Sequence, residues 1–315
     1  MKKLLTLVLA LSLVLSLVAS ASAITIAFSQ IGQESDWRTA NTDSVNAAIE
    51  GHEGWELVYD DAQQKQENQI KALRNFITQG VDYILFTGVV NTGWDEVLAE
   101  VNEAEIPLLL LDRIPDCVDK IEYAAAFGGD FQLEGRRQVQ WAGEFLKSIG
   151  RDSEDVNVAI MEGTTGASAQ VDRTTGNLAA LADYPFLKVV QQSSGNFTRA
   201  EGQALMESWL KSTDKIDVLI AQNDDMALGA IDAIKAAGLK PGEDIIIVVC
   251  DSVKAAFEAI VAGEMNATIE ALEAGETFGR DVIHPEEGVF DCVGGIEVEG
   301  TTSVLAADVI DERQY

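Results

Sequence analysis

The chain has 315 residues, 47% of them apolar, with 52 acidic against 22 basic side chains and a formal net charge of −30. So negative a field repels nucleic acid and anionic lipid, which excludes both as expected partners. Three cysteines and two histidines are too few and too scattered for a disulfide framework, a metal site or a nucleophile–base pair, so neither cofactor nor metal nor catalytic residue is expected.

In chain order, Met1, Lys2 and Lys3 precede an apolar run from Leu4 to Val18, and Ala21-Ser22-Ala23 closes it. A basic start, a short apolar stretch and a small-residue ending predict a secretory signal peptide over residues 1–23, cleaved after Ala23. The competing reading is an uncleaved anchor, but about 15 apolar residues fall short of the roughly 20 that a span needs. No later segment is a spanning candidate, and no cysteine stands at the cleavage site to carry a lipid. The protein is therefore expected outside the cytoplasm, periplasmic or extracellular, without membrane insertion after cleavage. The remaining chain, about 290 residues, exceeds the usual domain size and predicts two domains.

Short apolar runs then alternate with segments of helical period. Strands are predicted at Ile24 to Gln30, Trp55 to Asp60, Tyr83 to Thr87, Pro107 to Leu111 and Glu122 to Ala126, with helices at Trp37 to Glu50, Gln66 to Gln79 and Trp94 to Glu103. A second series follows: helix Leu133 to Ser148, strand Val156 to Glu162, helix Gln170 to Leu181, strand Leu187 to Gln192 and helix Thr198 to Leu210. Strand Val218 to Gln222, helix Met226 to Ala237, strand Ile245 to Cys250 and helix Ala255 to Val261 continue it. Strict alternation with near-continuously apolar strands predicts the α/β class, as two Rossmann-like, doubly wound parallel-sheet lobes with a boundary near residues 127 to 130. From Gly275 the pattern is less regular. His284 to Glu299 is rich in Gly and acids, and Thr301 to Ile310 reads as a strand and turn returning to a sheet.

Ligands of such sheets bind beyond the carboxyl ends of the strands. Polar residues gather there: Ser29 and Gln30, Asp112 and Arg113, Asn223 to Asp225, and Asp251. Their presence in both halves predicts a cleft between lobes. A sugar presents hydroxyls that both donate and accept on a ring with an apolar face, so its site requires planar polar groups and an aromatic ring. Trp37 beside Arg38 offers both, although a core aromatic next to a surface charge fits equally. Asp112 and Arg113 read either as ligand groups or as a local salt bridge. Gly163 to Ser168 is a small-residue loop opening a helix that carries Arg173, but it lacks the Lys-Ser/Thr ending of a phosphate loop. One of Asn223, Asp224 and Asp225 is expected to cap its helix.

Neither His52 nor His284 neighbours a Ser or Cys in a nucleophile motif. Asp112 with Asp251 forms a conceivable carboxylate pair, which neighbouring arginines are expected to hold ionised, against a general-acid role. Cys250 ends an apolar run and reads as a buried free thiol. Export would permit a bridge between Cys117 and Cys292, which no spacing rule supports.

Several motifs resemble the periplasmic sugar-binding proteins of the ribose-binding-like, type I family, related to LacI sensor domains. They are Asp112-Arg113, Val171-Asp172-Arg173, Asn223 to Ala230, Cys250-Asp251-Ser252 and Gly263 to Thr268. Phe28-Ser29-Gln30, Glu34 to Arg38, Gln63 to Ile70, Thr164 to Ser168 and Ser194 to Arg199 bring the chain nearest to the galactofuranose-binding branch that serves ABC transporters. The resemblance implies two lobes joined by a three-stranded hinge, closing over one monosaccharide that is handed to a transporter permease by a monomeric, non-enzymatic protein. It implies that Trp37 stacks on the sugar while Arg38, Asp112, Arg113, Arg173, Asn223 and Asp251 bind hydroxyls, with Ser29, Asp224 and Glu270 as further candidates. Crossovers are implied near 127 to 130, 268 to 271 and 299 to 303. The N-terminal lobe would then comprise 24–127 plus 271–300, and the C-terminal lobe 128–270 plus 301–315. After Glu270 the chain departs from the family pattern, because Ala271 to Gly275 contain no proline. Two alternatives share the exported fold or the ligand: a sensor that presents its liganded form to a membrane receptor or kinase, and a sugar-processing enzyme.

Overall fold

The computed structural model describes residues 23–270, 290–292, 296–298 and 304–305. The predicted signal peptide (apart from its last residue, Ala23), His284, the third crossover and the side chain of Cys292 lie outside the described residues. The first lobe contains β1 (Ile24–Gln30), α1 (Asp36–Glu50), β2 (Trp55–Asp61), α2 (Gln66–Gln79), β3 (Tyr83–Phe86), α3 (Asp95–Glu103), β4 (Leu108–Leu111) and β5 (Ala125–Phe127). The second contains α4 (Phe131–Ser148), β6 (Val156–Glu162), α5 (Ser168–Leu181), β7 (Leu187–Ser194), α6 (Arg199–Ser212), β8 (Val218–Ala221), α7 (Asp224–Ala236), β9 (Ile246–Cys250), α8 (Lys254–Val261) and β10 (Ala267–Glu270).

The first sheet is parallel in the order β2-β1-β3-β4-β5. The second repeats it as β7-β6-β8-β9-β10, also parallel, with Val304–Leu305 added antiparallel beside β10. Continuous apolar runs are what a sheet covered on both faces demands, because alternate side chains enter different cores. In β8, Leu219 and Ala221 join Met206, Trp209 and Leu228 under α6 and α7, while Val218 and Ile220 join Val139, Leu146 and Tyr184 under α4 and α5. The first lobe has its own core around Leu73, Phe86, Trp94 and Leu110. The chain passes from the first sheet to the second between Phe127 and Phe131, and Asp130 caps α4 by accepting from the Leu133 N–H at 2.8 Å.

Several bounds differ from the sequence reading, among them the fifth strand, predicted at Glu122 to Ala126 and found at Ala125–Phe127, and two differences bear on the site. The helix predicted to start at Met226 begins at Asp224, two residues earlier, because Asn223 Oδ1 accepts from the Met226 N–H and so caps it there. The fifth strand of the second sheet, Ala267–Glu270, was not read as a strand. Its Thr268 and Glu270 break the apolar pattern, yet both are buried.

The helix pairs α4–α5 and α6–α7 cross at reciprocal glycines. A Cβ on Gly135 would meet the Arg173 carbonyl and one on Gly176 the Gln132 carbonyl; likewise Gly202 abuts the Met226 backbone and Gly229 the Arg199 carbonyl. Small residues let the backbones touch, and this contact fixes where α5 and α7 present their N-terminal turns. Gly176→Ala is expected to force the helices apart and to destabilise the protein by about 2 kcal/mol or more, read from its urea unfolding midpoint.

Candidate functional site

The site is built at the carboxyl ends of equivalent strands in the two sheets. Asp112 follows β4 with φ +59°, and Asp251 and Ser252 follow β9, the corresponding strand, with φ +106° and +54°. Gln63 and Gln64 follow β2 with φ +54° and +59°, and Asn196 and Phe197 follow its counterpart β7 with φ +52° and +61°. Left-handed backbone at non-glycine residues costs about 1 to 3 kcal/mol each and persists where the surroundings impose it. Here it turns side chains sharply off the strand ends.

On the first lobe, Ser35 caps α1 by accepting from the Arg38 N–H, which sets Glu34, Trp37 and Arg38 at the helix start. Arg38 donates to Asp112 Oδ2 at 2.6 Å and to Glu34 Oε1 at 3.1 Å, and it stacks on Trp37 at 4.9 Å. Burial alone would lower the basicity of Arg38, but Asp112 and Glu34 outweigh it and raise its pKa. Arg113 has weaker support: Glu34 at 3.6 Å, Asp112 at 3.8 Å and the Val89 carbonyl at 3.3 Å. Its pKa is pushed down to about 10, by burial first and by the charge of Arg38 second, which leaves it ionised at neutral pH. Arg38 Nη1, Arg113 Nε and Glu34 Oε2 are buried without a hydrogen-bond partner among the described residues.

On the second lobe, Arg173 is the organising group. It donates to Glu134 at 2.6 Å, to the Gln222 carbonyl at 2.5 Å and to Asp251 at 3.2 Å, with Phe131 under its face at 5.1 Å. Burial opposes its charge, but the carboxylates of Glu134 and Asp251 raise its pKa well above the usual value. Asp251 was expected to be held ionised by its arginine. That is corrected: burial dominates, Arg173 offsets it only in part, Glu134 adds to it, and the carboxyl is pushed up to about 7.

The two halves touch directly. The Asp36 N–H at the start of α1 donates to Asp225 Oδ2 at 2.8 Å, and the Asn91 N–H donates to the Gly166 carbonyl at 2.7 Å. Arg113 lies on the face of Phe197 at 5.0 Å, and Trp37 packs against the core of the second lobe. Between them is a cavity of about 120 Å³. That is below the 300 Å³ or so of pockets for drug-sized ligands, which limits an occupant to a small molecule.

Trp37, Arg38, Asp112, Arg113, Arg173, Asn223, Asp251 and Glu270 all line this cavity. Asn223 reaches it with a committed amide, which accepts from Met226 and donates to the Phe197 carbonyl at 3.1 Å. Ser29 and Asp224 do not line it. Ser29 is buried in the first lobe, and Asp224 accepts from Thr268 Oγ1 and the Val253 N–H, both at 2.8 Å. Glu34, Phe131 and Phe197 line the cavity and were not chosen as site residues from the sequence. Glu34 and Phe197 stand inside the motifs Glu34 to Arg38 and Ser194 to Arg199, so the signal was present and was read only as family likeness.

The sequence from Ile26 to residue 271 matches the periplasmic binding protein domain. The chain belongs to the periplasmic binding protein family. Among its relatives, the galactofuranose-binding protein YtfQ of Escherichia coli is 42% identical over 91% of this chain and 92% of its own length. A Mycobacterium smegmatis protein solved with β-D-fucofuranose is 48% identical with a TM-score of 0.75, covering 79% of this chain and 80% of that one. The binding protein of the arabinose ABC transporter from Shewanella sp. ANA-3, solved with α- and β-L-arabinofuranose, is 37% identical with a TM-score of 0.75, covering 92% and 94%. Two α/β lobes, as expected from the sequence, are the architecture shared with these binding proteins. In this family member Phe197 joins the two lobes, because its ring packs on Gly163 of its own lobe and on Arg113 of the other. Phe197→Ala is expected to lower unfolding stability by about 3 kcal/mol and to increase the open population, measured by urea unfolding and small-angle scattering.

Proposed function

We propose that this protein is an exported solute-binding protein of an ABC sugar importer, which closes over one monosaccharide in its furanose form and presents it to the permease. The observation that carries this is the pairing of charges around the cavity. Guanidinium and carboxylate groups come from both lobes, and spare donors (Arg38 Nη1, Arg113 Nε) sit beside spare acceptors (Glu34 Oε2) in a water-poor space. A neutral polyol satisfies both kinds without bringing uncompensated charge, whereas an anion or cation would meet like charges on either side. Trp37 supplies the apolar face. Three relatives whose names or bound ligands are furanoses support that ring form over a pyranose.

In this reading Arg38, Asp112, Arg113, Arg173 and Asp251 bind hydroxyls, and Asn223 works by fixing α7 and the Phe197 loop. The lobes are completed by the tail, 271–300 for the first and 301–315 for the second. The working form is a monomer located in the periplasm or outside the cell after signal-peptide cleavage. Closure follows population shift: the ligand favours the closed state because it contacts both halves only there.

Calorimetry against D-galactose, L-arabinose and D-ribose tests the assignment. Binding of the first two, whose furanose forms appear in a relative's name or bound to a solved neighbour, is the expected result, and a protein that binds no sugar would sink it. Asp112→Ala takes from the buried Arg38 and Arg113 one of the two carboxylates they share, leaving Glu34, and removing one partner of a buried pair costs about 3 to 5 kcal/mol. An affinity loss of at least about 100-fold is expected with the secondary-structure spectrum unchanged, and wild-type affinity in that folded variant would contradict the role given to Asp112.

A further inference from the structure

Glu270 ends β10 at the inner wall of the cavity and is 7% exposed, with Oε2 buried and no hydrogen-bond partner among the described residues. Most of the ionisable groups that face it are acids, as it is. Glu134 approaches from α4, Asp251 from the end of β9, Asp224 from α7 and the neutral Cys250 thiol from β9, with the Arg173 guanidinium on α5 among them. That guanidinium is already engaged by Glu134, Asp251 and the Gln222 carbonyl. Asp224 takes its hydrogen bonds from Thr268 and Val253 and has none to share. A carboxyl that is removed from water, lacks a donor on Oε2 and stands among other buried acids holds a proton instead of a charge.

We propose that Glu270 recognises the sugar as a neutral carboxylic acid, donating its O–H to an acceptor oxygen of the ligand, so that binding depends on that proton being present. The proposal rests on the sugar-binding reading of the cavity. Chemically, the Glu270 O–H can be accepted by a sugar hydroxyl or by the ring oxygen, which has no proton of its own and which every cyclic sugar offers. The shift in the carboxyl supports the geometry: burial is the largest cause, Glu134 and Asp251 add to it, and together they hold it well above the ordinary range. The sign follows. Binding is complete below the raised pKa of Glu270 and is lost as pH rises through it.

The test uses Glu270→Gln, which keeps the shape and a donor but has no proton to lose. D-galactose and L-arabinose are titrated into wild type and variant from acid to alkaline pH, over the whole range in which both proteins stay folded. Wild type is expected to lose about tenfold in affinity per pH unit above the transition. Glu270→Gln is expected to bind within about threefold of wild type at the acid end and to fall less steeply, its residual slope belonging to Asp251. A folded Glu270→Gln variant that binds at no pH would show that the ionised carboxylate is required and would overturn the proposal. So would an alkaline loss identical to that of wild type. Infrared spectra of the sugar-free proteins at neutral pH provide a reading that does not depend on ligand: the carbonyl stretch of a protonated carboxyl should weaken in Glu270→Gln, and an unchanged band overturns the inference. If neither sugar binds wild type while the band weakens as expected, the sugar assignment fails and the proton on Glu270 stands.

Discussion

Withdrawing a guanidinium from water costs several kcal/mol unless its donors find acceptors and its charge finds a partner. Three such groups, Arg38, Arg113 and Arg173, stand in one cleft and are nearly inaccessible to solvent. Much of the local architecture answers to that constraint. Glu34 and Asp112 serve Arg38, Glu134 and Asp251 serve Arg173, and aromatic faces at Trp37, Phe197 and Phe131 cover the planes that hydrogen bonds cannot reach. Arg113 is the least well served of the three. It leans on a ring from the opposite lobe, so its environment depends on the lobes being together.

The scaffold meets these demands with one device used twice. Both sheets have the same strand order, and the same strands in each are followed by left-handed residues, of which Asp112, Asp251 and Phe197 reach the cleft. Reciprocal glycines at two helix crossings hold the flanking helices at fixed height over the second sheet. Each lobe therefore brings a half-site whose internal hydrogen bonds are already made, and what remains variable is the angle between them.

Much of this was legible in the sequence. The period of apolar residues gave the alternation of strands and helices, and the placement of Asp112, Arg113 and Asp251 after apolar runs put them at strand ends because a strand buried on both faces must stop where charge begins. The cap at Asn223 was equally readable, since a short polar side chain before an apolar helix has few other uses. Partnership was not legible. That Glu134, in the first turn of α4, would meet Arg173 on α5 follows from a helix crossing set by Gly135 and Gly176, and no spacing within either helix contains it. Phe197 was hidden for the same reason, as its importance lies in contacts made across the cleft. The expectation that an arginine would keep Asp251 ionised failed because sequence counts neighbouring charges and cannot weigh them against burial.

The left-handed residues at the strand ends set a limit on how robust this protein can be made. Each is a place where the chain would relax if its packing were loosened, and at Asp112, Asp251 and Phe197 the side chain that enforces the strain is part of the cleft. Glycine there would relieve the backbone and remove the group the site is made from. Gln63, Gln64 and Asn196 have the same backbone but no side chain in the cavity wall. Thermal tolerance and ligand recognition are thus separable at those three positions and opposed at the others, so a hardier variant that still binds would be sought at Gln63, Gln64 and Asn196 and not at Asp112, Asp251 or Phe197.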